Sequence, residues 1–186
     1  MRKKIVVLVG TGSIGVAIAR RVGVGKHIVL ADYNVDNADA AAKLLENAGY
    51  DCSTVQCDLG SKTSILSLVD YACKKGEIVN LINAAGVSPS QAPVERILQV
   101  DLYGTSVLIE EFGKVIANGG SGVIISSQSG HRLPGLPQDQ NDALALTPSD
   151  ELLSLPFIAA ITDTLKAYQY SKRCNVIRVM REATLW

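Results

Sequence analysis

The chain of 186 residues has no excess of charge of either sign. Its 18 lysines and arginines match its 18 aspartates and glutamates, which makes the formal net charge +0. Nucleic acids and anionic membranes attract proteins through a surplus of positive charge. The balance therefore removes the electrostatic argument for either one as the main partner.

Long apolar runs and a cleavable leader are also lacking. No run approaches the roughly 20 residues of a membrane span. The segment Met1-Arg2-Lys3-Lys4 leads directly into a strand pattern, without a small-residue cleavage site. We therefore expect a cytoplasmic protein. With 47% hydrophobic residues, a chain of this length is expected to form a single domain over residues 1–186.

Metal-binding patterns are lacking as well. The cysteines show no C-x-x-C spacing, and the histidines are only His27 and His131. Zinc sites combine such residues at short, regular spacings. We expect no metal site, and we expect free buried thiols at Cys52, Cys57, Cys73 and Cys174.

A glycine-rich turn stands between a buried strand pattern and a helix pattern. The apolar run 5–9 passes directly into Gly10-Thr11-Gly12-Ser13-Ile14-Gly15. The first glycine permits a tight turn, the second lets the main chain approach a pyrophosphate, and the third lets the helix pack on its strand. Phosphate can then meet the free N–H groups and the positive dipole end of the helix. The pattern predicts a dinucleotide site.

An acidic residue follows the second apolar run, 27–31, at Asp32. A carboxylate at this strand end can accept both hydroxyls of the adenosine ribose, and it repels a 2′-phosphate. Tyr33 and Asn34 add no positive charge that would hold such a phosphate. We therefore predict NAD rather than NADP as the cofactor.

Strands and helices alternate along the rest of the first two thirds of the chain. The pattern predicts a helix capped by Asn37 and ending near Gly49, a strand over 52–57 before Asp58-Leu59, a helix from Ser61 to Gly76, a strand over 78–82 before Asn83-Ala84-Ala85-Gly86, a long helix from about Pro93 to Ala117, and a strand over 122–126. Buried strands joined by helices predict an α/β protein with a Rossmann-like, doubly wound parallel sheet covered on both faces.

Residues 130–166 interrupt this alternation with a segment rich in proline and leucine. It contains two short helix patterns, over 138–146 and from Ser149-Asp150-Glu151 onward. A structureless loop of this length is unusual, so we expect a packed excursion. It serves either as a wall or lid of a substrate pocket, or as a surface or oligomer-contact elaboration; both remain open.

A second group of polar residues follows the fifth strand. Ser127 lies just after it, and Tyr168-Gln169-Tyr170-Ser171-Lys172 lies on the last helix pattern. Tyr168 and Lys172 are four residues apart and share a helix face. A nearby ammonium favours the phenolate and makes Tyr168 a usable acid–base group. Lys172 can also donate to ribose hydroxyls, and Ser127 can donate to the substrate oxygen.

The order of these motifs over nearly the whole chain resembles the short-chain dehydrogenase/reductase family. The resemblance implies Ser127, Tyr168 and Lys172 as the catalytic trio, with the last two also touching the cofactor. It further implies cofactor contacts along Ala84, Ala85 and Gly86 and at Asp58 and Leu59, with Asp58 near the adenine amino group. Ser126 is the alternative to Ser127, whereas Tyr170 stands two residues from Lys172 and faces elsewhere.

The chain departs from the family pattern in its glycine loop, which has Val9 before Gly10 and one residue fewer between the outer glycines. It also departs at Asp101, where most members carry an asparagine that helps place a water in a proton relay. An aspartate accepts similar hydrogen bonds but does not donate them. We include Asp101 as a fourth catalytic candidate.

The chain stops at Trp186, where the catalytic helix pattern ends. The family fold continues through a sixth strand, a substrate-binding loop with a helix, and a seventh strand. We expect strand order 3-2-1-4-5 with strands 6 and 7 absent, and weak or absent activity for this chain by itself. A natural truncation and an incomplete sequence are both open.

The resemblance also implies a homodimer or homotetramer, because two helices of the family pair across a two-fold axis. These correspond to residues 93–117 and the helix ending at Trp186. Their apolar positions are too numerous for one core-facing stripe: Val107, Leu108, Val115, Ile116, Val176, Ile177, Val179 and Met180.

The function expected is an NAD-dependent oxidoreductase that interconverts a secondary alcohol and a ketone by hydride transfer. Two alternatives stay open. One is an epimerase or dehydratase on the same scaffold. The other is a truncated, non-catalytic member that binds a dinucleotide or a partner and regulates it.

Overall fold

The structure is a computed structural model that describes residues 2–186, so Met1 of the N-terminal segment lies outside the described residues. The strands are β1 (Lys4–Val9), β2 (His27–Asp32), β3 (Asp51–Gln56), β4 (Glu77–Asn83) and β5 (Ser121–Ile124). The α-helices are α1 (Ser13–Val22), α2 (Val35–Glu46), α3 (Lys62–Lys75), α4 (Val94–Ile97), α5 (Thr105–Gly113), α6 (Ser129–Arg132), α7 (Gln138–Leu146), α8 (Pro156–Ala159) and α9 (Thr164–Glu182). A π-helical segment spans Leu98–Gly104, and a 3₁₀-helix spans Ser149–Ser154.

The five strands form one parallel sheet in the order β3-β2-β1-β4-β5. In its centre Val7 of β1 pairs with Val29 of β2 and Leu81 of β4. The order of the strands along the chain reverses between β1 and β4. Such a point is where doubly wound sheets bind ligands, beyond the carboxyl ends of the strands. The predicted fold class and strand order are confirmed.

The chain divides into two compact units. Unit 1 contains the residues up to Ala85 together with Glu111–Ile125, and unit 2 contains Gly86–Glu110 and Ser126–Trp186. The expectation that residues 1–186 form a single domain stays a prediction.

The core of unit 1 lies against the sheet. Helices α1 and α2 pack on side chains of β1 and β2 in one apolar cluster, which includes Val6, Leu8, Val16, Ala19, Ile28, Leu30, Ala41 and Leu45. Ile5, Val7 and Val29 alternate with these strand residues and are equally buried. Burial of both sets is what a parallel sheet covered on both faces requires.

The ends of the helices in unit 1 follow local capping chemistry. The expected cap at Asn37 is wrong: α2 begins earlier, and the side chain of Asn34 accepts the Asp36 amide at 3.0 Å. Asn34 has the extended backbone that a cap residue needs, so the earlier asparagine is used. The cap at Ser61 is confirmed, since its Oγ accepts the Ser64 amide.

The fifth strand is shorter than predicted. β5 ends at Ile124, so Ser126 and Ser127 lie in the connection that leaves the sheet. One edge of β5 pairs with β4. Within residues 2–186 no strand pairs with its other edge, and Val123 is 40% exposed there.

Unit 2 is helical. The predicted long helix consists of α4, the π-helical segment and α5, and it ends at Gly113 rather than Ala117. The predicted helix over 138–146 is confirmed as α7, and the pattern opened by Ser149 is the 3₁₀-helix. The core consists of Ile97, Leu98, Leu102, Leu144, Leu152, Ile158, Ala167 and Cys174. Leu144, Leu152 and Ile158 of the segment 130–166 belong to this core, and the assignment of the whole segment as an excursion near an active site stays a prediction.

Three further findings concern the part of the chain that is described. No helix within it is long and apolar enough to cross a membrane. No group of three or more histidine, cysteine, aspartate or glutamate side chains within it is placed to hold a metal ion. The four cysteines are free, with Cys57 and Cys174 buried and Cys52 and Cys73 partly exposed. The expectation of free thiols is confirmed, but burial holds for only two of them.

Candidate functional site

The glycine loop of unit 1 needs glycine at two of its three positions. Gly10 has φ +84°, and a Cβ there would stand 2.4 Å from Ala85 N. A Cβ on Gly15 would stand 2.4 Å from the Gly10 carbonyl oxygen and 2.8 Å from Leu8 Cδ1. Any side chain at either position would move the main chain, because the nearest atoms are backbone. The loop is therefore held close to the ends of β1 and β4.

Gly12 has a different environment. It is the N-cap of α1, its side-chain position has no atom within 4 Å, and no side chain caps the helix. The first amides of α1, at Ser13 and Ile14, thus have no side-chain acceptor from the N-cap, and an anion can approach them. A groove of about 460 Å³ adjoins the loop and is lined by Thr11, Gly12, Ser13, Val16, Asn37, Ala40, Ala41 and Leu44. The open helix end and the bare Gly12 fit a dinucleotide phosphate group.

Asp32 lies at the end of β2 and bonds to the glycine loop. Its Oδ2 accepts both the amide and the hydroxyl of Thr11, each at 2.8 Å, and its Oδ1 accepts the Asn34 amide at 3.0 Å. The position at the strand end agrees with the one predicted from sequence. The sequence analysis did not predict the hydrogen bonds between Thr11 and Asp32. The only signal for them was the position of Thr11 within the glycine loop.

The two other segments of unit 1 that were predicted to contact a cofactor are shaped by turns. Asp58 Oδ1 accepts the Gly60 amide at 2.7 Å, and the side chain of Leu59 is buried. The Ala84 amide donates to the Val9 carbonyl at 2.8 Å, and the Ala85 amide donates to Asn83 Oδ1 at 3.2 Å. Asn83 is 1% exposed. Sequence reasoning missed it as the side chain that supports this turn.

Unit 2 holds the tyrosine and lysine of the predicted catalytic trio on α9. The Nζ of Lys172 lies 5.3 Å from the centroid of the Tyr168 ring, as the four-residue spacing predicts. Lys172 is 4% exposed, whereas Tyr168 is partly exposed.

Asp101 lies in the π-helical segment and is fully buried. Its Oδ2 stands 3.6 Å from Lys172 Nζ, and its Oδ1 accepts the Val87 amide at 2.9 Å. Burial raises the pKa of Asp101 above its ordinary value, and the charge of Lys172 offsets part of that rise. Gly86 permits the pairing, because a Cβ there would stand 3.0 Å from Asp101 Oδ1 and 3.2 Å from Lys172 Nζ.

The two adjacent serines differ in their bonding. Ser126 Oγ donates to the Lys172 carbonyl at 2.8 Å. Ser127 Oγ accepts the Ser129 amide at 3.1 Å, a bond that does not use its hydroxyl hydrogen. A Cβ on Gly130 would stand 2.7 Å from Arg173 N, so this loop packs tightly on α9. These contacts favour Ser127 over Ser126 as a donor to a substrate.

Tyr170 takes no part in this group. Its ring packs with Phe157 at a centroid distance of 6.1 Å, beside the core of unit 2. This agrees with the expectation that a tyrosine two residues from Lys172 faces elsewhere.

Arg178 anchors the excursion to α9, and sequence reasoning missed it. It is 1% exposed, and its Nε donates to the Leu144 carbonyl at 2.9 Å. Its other nitrogens donate to the Thr147 carbonyl and, at 2.7 Å, to Glu110 Oε1. The carbonyls at the end of α7 lack helical partners. The guanidinium therefore satisfies them and fixes the segment that packs beside Tyr168.

The apolar surface expected for subunit contacts needs correction. Val107 and Leu108 are 1% and 0% exposed within the chain itself, because α5 packs into the core at these positions. Val179 and Met180 on α9 are exposed.

Comparison with known proteins identifies the family. A family model described as enoyl-(acyl carrier protein) reductase matches residues 9–141. The short-chain dehydrogenase/reductase bsc3 of Alternaria brassicicola is 34% identical over 188 residues, which cover 100% of this chain and 69% of the relative. Tropinone reductase-like 3 of Erythroxylum coca is 28% identical over 142 residues, which cover 71% of this chain and 55% of the relative. The chain belongs to the short-chain dehydrogenase/reductase family, whose named members here are oxidoreductases.

Solved structures show the same fold. A 7α-hydroxysteroid dehydrogenase complexed with NADH and 7-oxo glycochenodeoxycholic acid has a TM-score of 0.70 at 17% identity, over 98% of this chain and 66% of that one. A variant of actinorhodin polyketide ketoreductase with NADPH has a TM-score of 0.67 at 20% identity, over 94% of this chain and 61% of that one. This chain is thus shorter than the proteins it matches. One of these two structures holds NADH and the other NADPH.

Proposed function

We propose that this protein is an NAD-dependent oxidoreductase that interconverts a secondary alcohol and a ketone. The observation that carries the proposal is the pairing on α9, where the buried Lys172 Nζ lies 5.3 Å from the Tyr168 ring. A phenol next to an ammonium can take the hydroxyl proton of an alcohol or return it to a ketone. NAD, when bound, supplies the acceptor for the hydride.

The proposed roles follow from the contacts of each side chain. Tyr168 transfers the proton, Lys172 lies beside its ring and donates to ribose hydroxyls, and Ser127 donates to the substrate oxygen where negative charge develops. Asp101 holds Lys172 through its carboxylate and the Val87 amide through its Oδ1. It takes the place of the family asparagine as an acceptor.

The choice of NAD over NADP rests on Asp32. Its carboxylate stands at the end of β2, and no arginine or lysine follows it at positions 33 or 34. A 2′-phosphate would meet a fixed negative charge there without a cation to offset it. Phosphates bind the open N-terminus of α1 at Gly12, Ser13 and Ile14, next to Gly10 and Gly15. Asp58, Leu59, Ala84, Ala85 and Gly86 complete the cofactor contacts.

The test is turnover of NAD with a panel of secondary alcohols, with Tyr168→Phe as the variant. This change removes only the hydroxyl, so NAD affinity should persist while turnover falls at least ~10²-fold, the typical effect of losing a general acid–base group. Tyr170→Phe is the matched control, because Tyr170 packs on Phe157, and it should keep its turnover. Full turnover in Tyr168→Phe would refute the assigned mechanism.

The same assays separate the alternatives. An isomerised product without net NADH formation would identify an epimerase, and NAD binding without any turnover would identify a regulatory binding protein. We also propose a cytoplasmic homo-oligomer that uses the exposed Val179 and Met180 side chains of α9. Light scattering on the purified protein measures this state, and a monomer mass would contradict it.

A further inference from the structure

The carboxylate of Asp32 is already engaged by the glycine loop. Thr11 donates its amide and its hydroxyl to Oδ2, both at 2.8 Å, and the Asn34 amide donates to Oδ1 at 3.0 Å. Thr11 is 8% exposed, so its hydroxyl is largely shielded from water. Three donors from two chain segments therefore define the plane and direction of this one carboxylate.

These bonds are of the stronger kind. Hydrogen bonds to an ionised carboxylate are shorter and roughly twice as strong as bonds between neutral groups. A carboxylate offers about four lone-pair sites, two on each oxygen. Thr11 occupies both sites of Oδ2, and Asn34 occupies one site of Oδ1. A single acceptor site on Oδ1 then stays open for a ligand hydroxyl.

The arrangement also connects two parts of the cofactor site. Thr11 stands between Gly10 and Gly12 of the phosphate loop, and Asp32 ends β2. Gly10 is itself bonded to this strand, because its amide donates to the Ala31 carbonyl at 2.8 Å. The Thr11–Asp32 bonds therefore fix the acidic side chain relative to the loop that receives the phosphates.

We propose that Thr11 is a positioning residue that determines NAD specificity, by holding the Asp32 carboxylate with Oδ2 on the loop and Oδ1 toward the adenosine ribose. The inference rests on the proposed role of Asp32. A held carboxylate presents its acceptor to one ribose hydroxyl without prior ordering, and it cannot rotate away from a 2′-phosphate. Thr11 thus acts through Asp32 on both NAD affinity and NADP rejection.

The test is titration of the purified protein with NADH and with NADPH, followed by nucleotide fluorescence, which needs no substrate. Thr11→Val keeps the size and the amide of the residue but removes the hydroxyl donor. We expect NADH affinity to fall about tenfold or more, the lower end of the range for one lost hydrogen bond to a charged group, and the NADH preference over NADPH to narrow. Thr11→Ser keeps the hydroxyl and should restore both quantities.

Two further variants make the outcome decisive. In an Asp32→Ala background, Thr11→Val should have no additional effect, because the carboxylate on which it acts is gone. If Asp32→Ala narrows the preference while Thr11→Val behaves like the wild type, the positioning role is refuted and the proposed Asp32 role survives. If Asp32→Ala leaves the NADH preference over NADPH unchanged, the proposed role of Asp32 is refuted, and the inference about Thr11 that rests on it is refuted as well. Thermal unfolding of each variant without nucleotide separates a loss of fold from a loss of binding.

Discussion

The buried guanidinium of Arg178 gives the sharpest stability prediction. Its three bonds end on the Leu144 carbonyl, the Thr147 carbonyl and Glu110, and the residue is 1% exposed. Arg178→Met keeps much of the aliphatic volume and removes all of these donors. The buried Leu144 carbonyl would then keep only the weak thiol donor of Cys174, at 3.8 Å, and the partly exposed Thr147 carbonyl would lose this donor.

The magnitude follows from what is left behind. A buried acceptor that loses its donor costs about 1–3 kcal/mol. The Glu110 side chain is 28% exposed, so water can replace part of its lost partner and its share stays below about 1 kcal/mol. Because the Leu144 carbonyl keeps a weak thiol donor and the Thr147 carbonyl is partly exposed, we expect Arg178→Met to lower the free energy of unfolding of unit 2 by about 2 kcal/mol. Glu110→Gln should cost less than half of that.

Urea unfolding measures this change through the only tryptophan, Trp186, which belongs to unit 2. Hydrogen exchange adds the local readout, and the amides of Gln138–Leu146 should lose protection first. Arg181→Met on the same helix is the matched control, with an expected effect within about 0.5 kcal/mol because its side chain is 34% exposed. A loss below about 1 kcal/mol in Arg178→Met would show that water or a neighbouring donor replaces the guanidinium, and the anchoring argument would fail.

Two other predictions concern the glycine loop and the thiols. Gly12→Ala should leave the unfolding temperature unchanged, because its Cβ would meet no atom within 4 Å, but it should weaken NADH binding where a phosphate must approach. Gly10→Ala should lower the unfolding temperature, because Gly10 has φ +84° and its Cβ would stand 2.4 Å from a backbone atom. Equal unfolding temperatures for the two variants would contradict this contrast. Burial raises the pKa of Cys52 and of Cys57 to about 11, so only about one thiol in 10³ is ionised at pH 8. A thiol reagent should therefore label these two positions slowly in the folded protein and rapidly in urea. Labelling that becomes faster as the pH rises toward 11 would check that the two pKa values are raised.

The local patterns of the sequence determined the sheet. The strands β1, β2 and β4 are mostly apolar runs, and α3 begins at the capping Ser61 and ends at Gly76, so the α/β class and the helix α7 follow from residues near in sequence. The strand order was an expectation from the family resemblance. The glycine spacing and the four-residue spacing of Tyr168 and Lys172 also carry their geometry locally, because turns and helices have fixed dimensions. Where two neighbouring residues offered the same chemistry, as Asn34 and Asn37 do, local pattern was not enough.

Contacts between distant segments were decided by tertiary structure alone. Thr11 and Asp32 are 21 residues apart, Lys172 and Asp101 lie on different helices, and Arg178 reaches residues 31 and 34 positions away. Sequence periodicity does not predict such a pair, because a carboxylate or guanidinium is expected to be exposed to solvent unless the fold buries it. The burial of Val107 and Leu108 likewise depends on what packs over α5. Sequence therefore predicted which groups could do the chemistry, and packing decided which of them hold one another in place.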